Sequence, residues 1–179
     1  MNNIRTEVFG IDVEIQDLQT VLYDTLIEDW SNNVEAYGRA YRNIDSDNKQ
    51  TLENYIGNGD YQQVYHNDKD ICTIFFIVGE DKKTDDGVVF TTEVKCVFMC
   101  DLKKVYPNDL ERSDEKAQRK VTQIINESYQ GDFEITKIET GIKNVFRGFN
   151  QDMIKFEDIH PYHCFSVNID LSYYLNNCN

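Results

Sequence analysis

The chain has 179 residues, a formal net charge of −14 at pH 7 and five cysteines. That length suits one domain, 1–179, with an ordinary core, and 40% hydrophobic against 28% charged residues argues against a disordered chain. The acidity excludes the broad basic footprint of a common DNA binder. No run reaches the ~20 apolar residues of a membrane span, and Met1–Gly10 lacks the apolar stretch of a secretory signal.

Residues 1–11 read as an N-terminal arm. A helix is expected from about Asp12 to Trp30, because Ile15, Leu18, Leu22 and Leu26 repeat at three and four residues. Ser31-Asn32-Asn33 supplies its stop. Val34 to Arg42 alternates as a strand, with Val34, Ala36, Gly38 and Ala40 on one face and Glu35, Tyr37, Arg39 and Tyr41 on the other. Residues 43–60 read as a long polar loop, and Tyr61 to Tyr65 as a short edge strand.

Ile71 to Val78 is almost continuously apolar, as in a central strand covered on both faces. A charged turn follows, and Val88 to Cys100 returns as its antiparallel partner. Ser113, followed by Asp114 and Glu115, marks the start of a second helix whose buried stripe is Ala117, Val121, Ile124 and Ile125. Phe133 to Gly141 is a further strand. Residues 142–162 form a second long connection, rich in aromatics. In Phe165 to Leu175 the apolar residues fall at every second position, giving one dry and one wet face, so this run needs a sheet to receive it. The expected fold is α+β: an antiparallel sheet of five to six strands with two helices packed on one face.

Few constellations point to chemistry. An odd cysteine count without a signal sequence reads as buried free thiols. Cys96 and Cys100 lie four residues apart on a strand, ~13 Å, too far to share a metal or a disulfide. His160, His163 and Cys164 crowd together with no second ligand pair to complete a zinc site. His163 and Cys164 are strand neighbours pointing to opposite faces, so they cannot act as a nucleophile pair. Asp45-Ser46-Asp47-Asn48 begins like a calcium loop but lacks its glycine and distal glutamate. No cofactor, metal or catalytic residue is expected, and the chain does not read as an enzyme.

Tyrosine and arginine are enriched at interface hot spots. Tyr37, Arg39 and Tyr41 are therefore candidate interface residues, as are Arg147, Phe146, Phe149, Met153 and Phe156 of the long connection.

The element order resembles that of the tail-terminator group of tailed bacteriophages, a kind of head–tail connector ring. The strings Val34-Glu35-Ala36-Tyr37-Gly38-Arg39-Ala40-Tyr41-Arg42-Asn43 and Asp158-Ile159-His160-Pro161-Tyr162-His163-Cys164-Phe165 are similar to small virion proteins of the crAss-like phages of Bacteroidetes. This resemblance implies a structural protein that forms a homo-oligomeric ring at the head–tail junction or tail top, made in the host bacterial cytoplasm. Its partners would be itself and neighbouring portal or connector and tail-tube proteins, with no membrane and no specific nucleic-acid binding. An acidic wall then repels phosphate and lets DNA slide through. A closed ring needs two different patches per subunit, here the Tyr37/Arg39/Tyr41 face and the 142–162 connection. The alternative is an acidic binding module, such as a DNA-mimicking inhibitor of a DNA-binding enzyme. Intermixed acids and bases at Asp109 to Lys120 weigh against it.

Overall fold

The computed structural model describes residues 1–30, 33–44, 47–152, 154 and 159–175. The elements in chain order are α1 (Ile11–Asp29), β1 (Val34–Ile44), β2 (Gln50–Gly57), β3 (Asp60–Gln63), β4 (Cys72–Val78), β5 (Val89–Asp101), α2 (Leu102–Val105), α3 (Asp114–Ser128), β6 (Phe133–Thr140), α4 (Ile142–Val145) and β7 (Tyr162–Tyr174). Ser31 and Asn32 of the expected helix stop, Asp45 and Ser46 of the calcium-like string, and Cys178 lie outside the described residues.

The protein is α+β, with all seven strands in one sheet of order β3-β2-β1-β4-β5-β7-β6. It is mixed rather than antiparallel, because β1 and β4 run parallel with Val34 opposite Cys72. The cause is the β2–β3 hairpin. The chain adds these two strands on the outer side of β1, then crosses back to begin β4 on its inner side. Residues 43–60 are therefore not a loop: β1 runs on to Ile44, and Gln50–Gly57 pairs with it, Leu52 opposite Arg42.

Two cores flank the sheet. On one face α1 contributes Ile15, Leu18, Leu22 and Leu26, and α3 contributes Ala117, Val121, Ile124 and Ile125. They meet Ile74, Phe76, Val94, Cys96, Phe98, Phe165, Val167 and Ile169 of the strands. Tyr129, just past α3, donates to Glu14 of α1 at 2.8 Å and ties the helices together. The opposite face holds a smaller core of Tyr37, Leu52, Phe75, Val97, Met99, Val145, Phe146 and Cys164. Its cover is α4 and the residues after it, so the helices do not all lie on one side. Burial on both faces explains the unbroken apolar run of β4.

The expected wet face of β7 is wet only towards its end. Ser166 and Asn168 are fully buried, because the second core and the neighbouring strands close over them. They pair with each other, Ser166 Oγ donating to Asn168 Oδ1 at 2.7 Å, as buried polar groups must. The N-terminal segment is docked rather than free. Asn2 bridges to Ala36 along the stretch of β1 that β2 does not cover, and Gln19 of α1 donates to Asn2 Oδ1 at 2.7 Å. No helix among the described residues is long and apolar enough to cross a membrane.

Candidate docking face on β1 and β2

Between Ala36 and Arg39 the β1–β4 register slips: Ala36 faces Ile74 and Arg39 faces Phe76, so three steps on β1 match two on β4. This β-bulge turns the strand over by one residue. Tyr37 and Ala40 project into the second core, and Arg39 and Tyr41 project on the helix side. Tyr37, Arg39 and Tyr41 therefore do not share a face. Tyr37 is 5% exposed, its hydroxyl accepts from Gln62 at 3.4 Å, and burial pushes its phenol far above the usual range. It is a core residue. Gly38 sits inside the bulge, where a Cβ would come within 3.3 Å of the Gln19 side-chain oxygen.

What the helix side presents is a different group, centred on Asp12 at the start of α1. Tyr41 donates to Asp12 Oδ2 at 3.0 Å, Arg5 donates to the same oxygen at 3.1 Å, and the Arg39 guanidinium lies 3.8 Å from Oδ1. The Arg39 guanidinium stands 4.7 Å over the Tyr41 ring, and Arg5 lies 5.3 Å over Tyr55. Tyr55 in turn meets Tyr61 at 5.2 Å. Burial, followed by the Asp12 charge, raises the Tyr41 pKa, so Tyr41 stays a neutral donor. Two guanidiniums, three rings and one carboxylate form a surface suited to desolvation against a partner, since stacked Arg loses little hydration and little rotamer freedom.

Sequence reading missed Arg5, Tyr55 and Tyr61 as members of this face. Tyr55 carried a usable signal, because Thr51, Glu53 and Tyr55 alternate with Leu52, Asn54 and Ile56. Arg5 carried none; only the docking of the first residues beside β1 brings it here.

The second expected patch is largely absorbed by the fold. Phe146 is fully buried, with ring centroids 6.1 Å from Phe75 and 6.4 Å from Tyr65. Phe149 lies under the Arg42 guanidinium at 4.9 Å. Arg147 is exposed, and Met153 and Phe156 lie outside the described residues. The visible part of the 142–162 connection is thus a cover over the sheet, not an arm.

The remaining motifs separate. His163 stacks on Phe165 at 5.2 Å and meets Gln118 at 3.0 Å on the helix side, while Cys164 belongs to the second core. No group of three or more metal-ligating side chains among the described residues could hold an ion. Cys72 and Cys100 face each other across β4 and β5 with sulfurs 2.7 Å apart, both as free thiols. Burial pushes the Cys96 thiol far up, which keeps it an unreactive, neutral packing group.

Comparison with protein-family models and with curated proteins finds no match to this chain.

Proposed function

We propose that this protein is a structural virion subunit of a tailed phage, assembling with copies of itself into a ring at the head–tail junction or tail top, around the DNA path. The observation that carries the reading is the Arg39–Tyr41 and Arg5–Tyr55 array on the helix side of the sheet. It has the residue types and the planar stacking of a hot spot. In this reading the array receives a neighbouring virion component, a portal or connector protein or the tail tube. The resemblance of the Val34–Asn43 string, which contains Arg39 and Tyr41, to small phage virion proteins favours the same assignment. The net charge of −14 suits a wall past which DNA slides without sticking.

The test is to locate the chain in purified virions by electron microscopy. The expected result is a ring about the axial channel with acidic side chains towards the lumen. A lumen lined mainly by Lys and Arg, or absence of the chain from the particle, overturns the proposal.

A further inference from the structure

Three cations of this acidic chain line a single cleft. A cleft of about 380 Å³ opens between the end of α1, the turn after α2 and the first half of α3, lined by Asp29, Trp30, Tyr106, Lys116, Arg119 and Lys120. Trp30 and Tyr106 meet edge-on at 6.2 Å, and Lys116 Nζ sits 4.2 Å over the Tyr106 ring. Lys120 is held by Asp29 at 2.5 Å and Lys116 by Asp109 at 2.8 Å. Arg119 is exposed, and no carboxylate lies within ion-pair reach of it among the described residues. Three cations thus face one lining carboxylate, although the whole chain carries −14.

The opposite face of the sheet carries the reverse. Glu93 of β5, Asp170 of β7 and Glu134 of β6 stand in register on three adjacent strands. Like charges placed directly across a sheet repel, and among the described residues no Lys or Arg forms an ion pair with Glu93, Asp170 or Glu134. Lys95 and Lys137, the lysines beside it, both go to Glu139 instead. Glu93 receives a neutral donor, Asn168 Nδ2 at 3.0 Å. Glu80 and Asp81 of the preceding turn extend the row, lining a hollow with Glu93 and Asp170 against one lysine, Lys83.

We propose that copies of this chain dock head to tail, the α3 cleft of one copy receiving the Glu93–Asp170–Glu134 row of the next. The occupant is a second copy because the charges are complementary and both halves sit on the same chain. Lys116 and Lys120 lie one helical turn apart, ~6 Å, close to the ~5 Å between carboxylates on neighbouring strands, while the whole row spans ~10 Å. The two patches lie on opposite sides of the sheet, so the contact is heterologous and propagates by rotation into a ring or a filament, not into a two-fold dimer. The inference rests on the ring reading only for its biological purpose.

The experiment is sedimentation velocity on the full chain at low and high salt, with Arg119→Glu and Glu134→Lys as variants. Both sites are exposed, so folding is checked simply by circular dichroism and thermal melting. Wild type is expected to self-associate at low salt and to weaken as salt rises. Each variant alone is expected to associate at least about tenfold more weakly. Mixed together they are expected to pair again, because Arg119→Glu keeps the acidic half and Glu134→Lys keeps the cationic half. A wild type that stays monomeric at low salt, variants that associate like wild type, or a mixture that fails to pair overturns the docking. A pair that forms while the chain is missing from virions sinks the virion reading alone, and a virion ring indifferent to both variants sinks the docking alone.

Discussion

Lys95 and Glu139 sit on β5 and β6, strands that never pair, and their side chains meet across β7 at 2.6 Å. The same lysine reaches the carbonyl of Val145 in α4 at 3.4 Å, and Asn168 of β7 donates to Glu139 at 3.2 Å. The half-buried Glu139 carboxylate thus ties three strands together, and Lys95 adds the cover of the second core.

Burial pulls the Glu139 pKa up, but hydrogen bonds from Lys95 and Asn168 outweigh it, and the net shift is downward. A carboxylate with a depressed folded pKa adds stability above its unfolded value, near pH 4.3, and loses it as pH falls through the folded value. Glu139→Gln is expected to cost about 1–3 kcal/mol at pH 7, because it leaves the Lys95 charge half-buried. The gap between wild type and variant in urea midpoint should narrow in acid. A gap that stays constant down to pH 3 would contradict the role given to the pair.

Phe146→Ala is expected to cost about 3–5 kcal/mol in denaturant unfolding, the range for emptying a large aromatic site. Phe146→Leu should cost far less. If the segment were a free arm waiting for a partner, truncating Phe146 would leave the monomer's stability unchanged.

Arg39→Ala combined with Tyr41→Ala is expected to leave a folded protein, since Asp12 keeps Arg5 as its partner. Under the proposed virion role, binding to a portal, connector or tube protein is expected to weaken at least tenfold, about 1.4 kcal/mol. Tyr37→Phe serves as the control and should bind like wild type, because Tyr37 lies on the other side of the sheet. Loss of binding in the control, measured by capture of purified portal or tube protein, would refute the face assignment.

His66 is half-buried beside Thr73, its Nδ1 3.1 Å from the hydroxyl. Burial, with Lys104 adding to it, lowers its pKa to about 4. The unfolded chain therefore binds a proton that the folded chain refuses between pH 6.5 and about 4, and stability falls as pH drops through that window. The expected loss is on the order of 1–2 kcal/mol after discounting for partial exposure. His66→Gln should remove that part of the pH dependence; an identical profile for the variant would argue against His66 as its source.

The parts of the fold legible in the sequence are those with one dominant period. Leu18, Leu22 and Leu26 announce α1, the stripe from Ala117 to Ile125 announces α3, and Ile74-Phe75-Phe76-Ile77 announces a strand buried on both sides. β2 stayed hidden because its neighbours are polar on both faces; Glu53 and Asn54 read as loop until β1 and β3 flank them. Parallel pairing of β1 with β4 has no local signature, since it depends on where the β2–β3 hairpin returns the chain. The docking face failed on one residue. Simple alternation placed Tyr37 with Arg39 and Tyr41, although a glycine inside a strand, here Gly38, is itself a sign of a bulge. Ser166 and Asn168 read as solvated because a sequence does not show what will cover a polar pair.

β7 is inserted between β5 and β6, and the ribosome makes it after both. Until Tyr162–Tyr174 has emerged, β6 has no strand to bond with and β5 has one bare side. Nascent chains of this protein thus pass through a stage with unpaired strands on display, the state most prone to clumping at high copy number. Yield during expression should then be limited by how fast that gap is filled, and cooler, slower synthesis with chaperone help should raise the soluble fraction without altering the stability of the finished molecule.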